Sequence, residues 1–316
     1  MITNRRALLS SAFSALILAG LAVSACGQST TSYSIVGWGN STQSGGDGGI
    51  HSASFNSATD GSAVTASVSN AQFTGMDGAG NTQTMTFSGT AYTQSNFGQI
   101  HSSTSMSVAN TYYNQNNTPY YNSQGQANAA GSPDNVDSLS IGYFTDVLQF
   151  GGALQAGYQA RYIFHIDGDI TGNITEPNGA LADMGVQIAN NPDQLFFAYG
   201  NGPYTADWVT NTYEINGVDP QTINVEFSTQ AFVDTWAYPD GSNIGGSTDF
   251  QNTLTLAGIE VVNQYGQDVT GWTVSSASGT QYTQLHTVPG PSSAFTIMAL
   301  GVSTIARRRK QNRHSA

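Results

Sequence analysis

Gln83-Thr84-Met85-Thr86-Phe87-Ser88-Gly89-Thr90-Ala91-Tyr92 sets small or apolar side chains (Met85, Phe87, Gly89, Ala91) against hydroxyls (Thr84, Thr86, Ser88, Thr90) at every second position. Successive side chains of an extended chain point to opposite faces, so a period of two makes a half-buried strand. The same alternation recurs further along. Ile223-Asn224-Val225-Glu226-Phe227-Ser228 repeats it, and Tyr158, Ala160, Tyr162, Phe164 and Ile166 oppose Gln159, Arg161, Ile163 and His165. Leu254 and Leu256 fall out of phase with Ile259 and Val261 across Ala257-Gly258, where a bulge restores the pattern. Trp272 and Val274 start a last strand. Asp167-Gly168, Asn178-Gly179, Asn201-Gly202, Asn216-Gly217 and Asp240-Gly241 read as turns between strands. After Ala25 no stretch holds a helical period for three turns until the C-terminal tail. The nearest exception, Gly179 to Ala189, carries Leu181, Met184, Val186 and Ile188 and reads as a short helix or an irregular strand. Many short strands with Gly- and Asn-rich turns predict an all-β body, an antiparallel β-sandwich or jelly roll.

The apolar anchors are unevenly spread. Gly27 to Gly61 is rich in Gly and Ser, with Tyr33, Ile35, Val36 and Trp38 as its anchors. Asn96 to Asp134 is rich in Asn, Gln, Tyr and Ser and reads as a long loop or a polar-faced hairpin region. The denser core is expected between Val136 and Val274. One domain over residues 26–286 is the first reading, and a subdivision near residue 133, at Ser132-Pro133, is the alternative. No repeat supports a solenoid.

Charge is scarce and sharply partitioned. Charged residues make up 9% of the 316, against roughly 25% in an ordinary soluble domain. Between Gly27 and Thr287 the sole Lys or Arg is Arg161, while all 20 carboxylates lie there, giving that interval a formal charge of −19. A surface so anionic repels phosphate backbones, which argues against nucleic-acid binding, and it attracts divalent cations and cationic partners. The single cysteine, Cys26, excludes an intramolecular disulfide and a thiolate zinc site.

The two ends have a different character. Met1 to Arg6 is basic, Ala7 to Ala25 carries no charge, and the run closes on the small residues Val23-Ser24-Ala25. That is the layout of a secretory signal helix over residues 1–25, removed by signal peptidase. A buried N-terminal helix would not explain why the charges stop at Arg6. Val23-Ser24-Ala25-Cys26 is also similar to the lipobox of bacterial lipoproteins, which would make Cys26 a lipidation site. Ordinary cleavage after Ala25 is the alternative, and Arg5-Arg6 leaves the Sec and twin-arginine routes both open. At the other end, Val288-Pro289-Gly290-Pro291 precedes the uncharged run Ser292 to Ala306, and Arg307-Arg308-Arg309-Lys310 follows. As a hydrophobic helix those residues span ~22 Å, short of the ~30 Å hydrocarbon core, so they form a marginal membrane segment with a basic stop. The positive-inside rule keeps both basic ends cytoplasmic and the acidic body outside.

The C-terminal residues 287–316 resemble the PEP-CTERM sorting signal in their Val288-Pro289-Gly290-Pro291 motif, short apolar helix and Arg cluster. The commoner form has Glu where this chain has Gly290, and the apolar run is poorer in Leu than usual, with Ser292, Ser293, Thr296, Ser303 and Thr304. The resemblance implies recognition and processing by an exosortase and delivery to the cell surface or extracellular matrix. It says nothing of the body's activity.

Within the body, Asp167 and Asp169 are the candidate calcium ligands, with Asn173 as a further carbonyl donor, since hard cations prefer carboxylate oxygens. The competing reading is an ordinary Asp-Gly-Asp hairpin turn, because one pair falls well short of the roughly 6–8 oxygens of a calcium site. Gly45-Gly46-Asp47-Gly48-Gly49 occurs once and lacks the stacked copies a repeat site needs. No Gly-x-Ser-x-Gly elbow or His-Glu-x-x-His helix occurs, and no residue is assigned a catalytic role. Tyr112, Tyr113, Tyr120, Tyr121, Trp208, Trp236 and Tyr238 read either as stacking platforms for sugars or as core and loop packing. The expectation is an exported cell-surface or matrix protein with a structural or adhesive role, in contact with extracellular polysaccharide. A carbohydrate-binding surface protein is the first alternative and a glycan-processing enzyme the second.

Overall fold

The computed structural model describes residues 28–39, 50–76, 81–111, 135–172, 180–188, 195–199, 201–234, 241 and 243–285. Both terminal segments, with Cys26, Val288 to Pro291 and Arg307 to Lys310, lie outside the described residues. So do the tyrosines at 112, 113, 120 and 121, Trp236, Tyr238 and Asn173.

Alternation governs the body as the sequence predicts. Sheet A consists of β1 (Ser29–Gly39), β2 (Ile50–Ala58), β6 (Asn135–Gly152), β8 (Ala180–Ile188), β9 (Leu195–Tyr199), β12 (Gln221–Asp234) and β14 (Trp272–Ser276). Sheet B consists of β3 (Val64–Met76), β4 (Thr82–Asn96), β5 (Gln99–Ala109), β7 (Tyr158–Gly172), β10 (Gly202–Val209), β11 (Tyr213–Ile215), β13 (Ile244–Val262) and β15 (Gln284–Leu285). Sheet A runs in the order β2-β1-β6-β12-β8-β9 and sheet B in the order β10-β7-β13-β5-β4-β3. The ladders between these strands are antiparallel, except that β15 joins β13 in parallel. Among the described residues every regular element is a strand, and the two sheets pack face to face as an all-β sandwich. Strands from both sides of residue 133 pair in both sheets, β1 with β6 in one and β5 with β13 in the other.

The inner faces form two apolar clusters. In the larger, Phe144, Leu148 and Phe227 of sheet A meet Phe164, Ile166, Phe250 and Leu254 of sheet B. The Phe227 and Phe250 rings touch edge to face at 5.8 Å. In the smaller, Trp38 of β1 packs on the stacked pair Phe73 and Phe87, beside Val36, Met106 and Val233. Between the clusters runs a seam of buried hydroxyls. Ser34 of β1 bonds Thr93 of β4, Thr93 bonds Ser140 of β6, Ser140 bonds Ser102 of β5, and Ser102 bonds Thr229 of β12. The Tyr33 and Tyr92 carbonyls lie within hydrogen-bond reach of the Thr93 and Ser140 hydroxyls, so every proton in this polar layer has an acceptor nearby.

Small side chains at the seam let the sheets approach. A Cβ at Gly142 would meet Ile100 Cγ2 at 2.3 Å and Ser95 Oγ at 2.5 Å. Gly142→Ala therefore lowers the unfolding free energy by about 2 kcal/mol through overpacking, read as a shift of the urea midpoint.

The structure also corrects the reading of Asp167-Gly168 as a turn. Both residues lie inside β7, which continues to Gly172. Gly168 is needed for packing, since a Cβ there would meet Phe250 Cδ1 at 2.3 Å and the Asp249 carbonyl at 2.6 Å. Asn216-Gly217 does turn the chain, with Gly217 at φ 73°, and the bulge foreseen near Gly258 is present between Leu256 and Gly258. Residues 180–188 form a strand, and Gln99 to Ala109 is a strand joined to β4 by a turn with Gly98 at φ 76°.

Candidate functional site

The outer face of sheet B carries rows of hydroxyl side chains. Ser67, Thr90, Ser105, Ser247 and Thr171 stand side by side on β3, β4, β5, β13 and β7. At the usual strand spacing this rung of hydroxyls is about 19 Å long. The neighbouring rung passes through Tyr92, Ser103, Asp249, Asp169 and Pro203. Hydroxyls both donate and accept, so such a face can exchange hydrogen bonds with water or with another hydroxylated surface.

Asp167 and Asp169 both belong to this face. Thr205 donates to Asp167 Oδ1 at 2.7 Å, and the adjacent His165 Nδ1 lies 2.7 Å from Asp207 Oδ1. Asp169 sits directly opposite Asp249, and its Oδ1 is buried without a hydrogen-bond partner among the described residues. Like charges directly opposite are unfavourable in a ladder. Among the described residues, no group of three or more His, Cys, Asp and Glu is placed to hold a metal ion. Trp208 faces inward, with its ring 5.7 Å from Phe164, and packs against the larger cluster.

Arg161 and Glu260 are direct neighbours on β7 and β13, with Nε 2.5 Å from Oε2. The Glu260 side chain is 3% exposed and that of Arg161 32%. The body's lone Arg thus neutralises a buried acid rather than standing free.

Sequence reasoning missed the site at which the C-terminal segment is fastened. Asp146 points inward from β6 and is fully buried. Its Oδ2 accepts from the hydroxyls of Ser276, Ser278 and Tyr282, each at 2.7 Å. Its Oδ1 accepts from the N–H groups of Val147 at 2.8 Å and Ser278 at 3.2 Å. Burial first, then the hydrogen bond to Asp146, raises the Tyr282 phenol far above its ordinary value, so it remains a donor. The signal was an acid at an inward position, between Phe144 and Leu148.

The registers also place the ends of the described chain. β6 runs from Asn135 toward Gly152, and antiparallel β1 begins opposite Thr145, so Gln28 enters from the end to which β6 points. β15 runs parallel to β13 and pairs Leu285 with Glu260, so the chain leaves toward that same end.

On the outer face of sheet A, Glu226 lies directly opposite Tyr143 and bonds its hydroxyl. Burial holds the Glu226 carboxyl above 4.5, and the Tyr143 bond draws it part of the way back. The folded state thus binds this proton more tightly than the unfolded chain. Its favourable contribution is complete below about pH 4.5 and declines as pH rises through the raised folded value. Glu226→Gln removes that slope and raises the neutral-pH melting temperature, as measured by thermal scans from acid to neutral pH.

No family model matches the chain, and none of the curated proteins matches it. Among solved structures, that of infectious bursal disease virus Gx strain matches over 90% of this chain and 85% of that one at 9% identity. Its TM-score is 0.12, too low to carry any argument. What the fold defines is an all-β sandwich protein.

Proposed function

We propose that this is an exported envelope or matrix protein with a structural or adhesive role, delivered by a signal peptidase and an exosortase. The partition of charge carries the reading: 20 carboxylates and one Arg fill residues 27–287, while basic and apolar segments flank them. The sandwich is consistent with that role, with its core closed by two apolar clusters and a satisfied hydroxyl seam. Fractionation of the native cells tests it. The chain is expected in the surface or matrix fraction, and changing Pro289 and Pro291 to Ala is expected to leave a longer form in the membrane. A soluble cytosolic chain would overturn the reading.

Carbohydrate binding is the second reading, favoured by the hydroxyl rung from Ser67 to Thr171. It predicts saturable retention on a glycan array that is lost when Thr90, Ser105 and Ser247 become Val. Equal retention by the variant would sink it.

A further inference from the structure

We propose that the end of the sandwich bearing the loops 153–157, 216–220 and 263–267 faces a lipid bilayer, with Val218 and Tyr265 seated among the headgroups. The inference rests on the export-and-anchoring reading above and adds an orientation to it.

Chain direction gives the first argument. Leu285 connects to the body at this end, whereas Gln28 enters beside Thr145, seven residues short of the end of β6. Six residues separate Leu285 from the start of the apolar run at Ser292, a reach of at most about 25 Å. A membrane holding the C-terminal flank must therefore lie close to this end.

The loops supply the second argument. Gly217 packs against Leu154, and Gly157 lies beside Gln264, so the three loops are neighbours. Val218 and Tyr265 are each 77% exposed at their tips. Both stand on the same device, an Asn two residues earlier that caps the turn. The Asn216 side chain accepts from the N–H groups of Val218 at 2.9 Å and Asp219 at 2.8 Å. The Asn263 side chain accepts from those of Tyr265 at 2.9 Å and Gln267 at 3.0 Å. Two exposed apolar side chains are thus held on closed turns, and little ordering remains to be done on contact. Tyrosine suits the bilayer interface, where its ring meets acyl carbon and its hydroxyl meets water.

Charge narrows the kind of lipid. Asp219 is exposed beside Val218, where Asn216 Nδ2 bonds it at 2.7 Å. Glu260 is compensated by Arg161, which also feels Asp268. A tip carrying Asp219 fits a zwitterionic surface better than an anionic one.

The test uses the full chain with Cys26→Ser and one new cysteine, Val218→Cys, Tyr265→Cys or Asn201→Cys. Asn201 bonds the Gly172 carbonyl at the opposite end and serves as the reference. Each variant is labelled with an environment-sensitive fluorophore and mixed with phosphatidylcholine vesicles containing spin-labelled lipid. The labels at 218 and 265 are expected to shift to the blue and to be quenched, while that at 201 does neither. If the chain floats with the vesicles but 218 and 265 behave like 201, the membrane-facing end is wrong and anchoring stands. If the chain does not float with the vesicles, anchoring fails and the proposed orientation fails with it.

Discussion

Asp146→Ala is expected to lower the unfolding free energy by about 4 kcal/mol and to release the segment from Ser276 to Leu285. The carboxylate is fully buried and receives five hydrogen bonds, from two backbone N–H groups and three hydroxyls. Alanine leaves the Tyr282 hydroxyl without that acceptor, and a buried donor left unmade costs about 1–3 kcal/mol. The Tyr282 ring packs over the hairpin turn, where a Cβ on Gly98 would meet it at 2.9 Å. Losing Asp146 therefore loosens the closure of the sandwich end as well as the strand. Chemical denaturation measures the energy, and limited proteolysis reads the release as new cleavage between Ala277 and Thr283. Asp146→Asn should lie between the two, because an amide keeps one acceptor oxygen but offers donors to hydroxyls that now donate. An alanine variant as resistant to protease as the parent would show that the segment is held by other contacts.

Arg161→Met is expected to cost about 3 kcal/mol, the penalty for leaving a buried acid without its cation. No other Lys or Arg lies between residues 27 and 287 to replace it. The Glu260 carboxylate is nearly inaccessible to water, so the loss should persist at high salt, which screens only exposed pairs. Pairing Arg161→Met with Glu260→Gln should recover much of the stability, because the stranded charge is then gone. If the single variant unfolded at the parent's urea midpoint, the pair would be ornamental.

Strands that alternate apolar with polar residues could be read directly. β4, β7, β12 and the bulged β13 lie where their alternation put them, with Met85, Phe87, Tyr162, Phe164, Val225 and Leu254 all inside. β1 and β5 were harder, although each is paired on both sides within its sheet. Their inward residues include Ser32, Ser34, Ser102 and Thr104, all buried. In a sequence a buried hydroxyl looks the same as an exposed one, and only its partner on a facing strand makes burial affordable. The seam links β1, β4, β5, β6 and β12, residues up to 127 positions apart, so no local window could reveal it. Asp167-Gly168 misled for a related reason, because the same dipeptide serves a turn or a close contact with a facing ring. Asp167 and Asp169, read as lying at a turn beyond His165, continue its strand face instead, and their partners on β10 and β13 could not be foreseen. Charge partition, by contrast, is a property of the whole sequence and needed no fold to be seen.

Mass-spectrometric mapping of the terminal peptides of the native protein, taken from the cell surface or matrix, is the most direct test. The exported, processed protein is expected to begin at or next to Cys26 and to lack Arg307 to Lys310. Recovery of the intact 316-residue chain from the cytosol would contradict it.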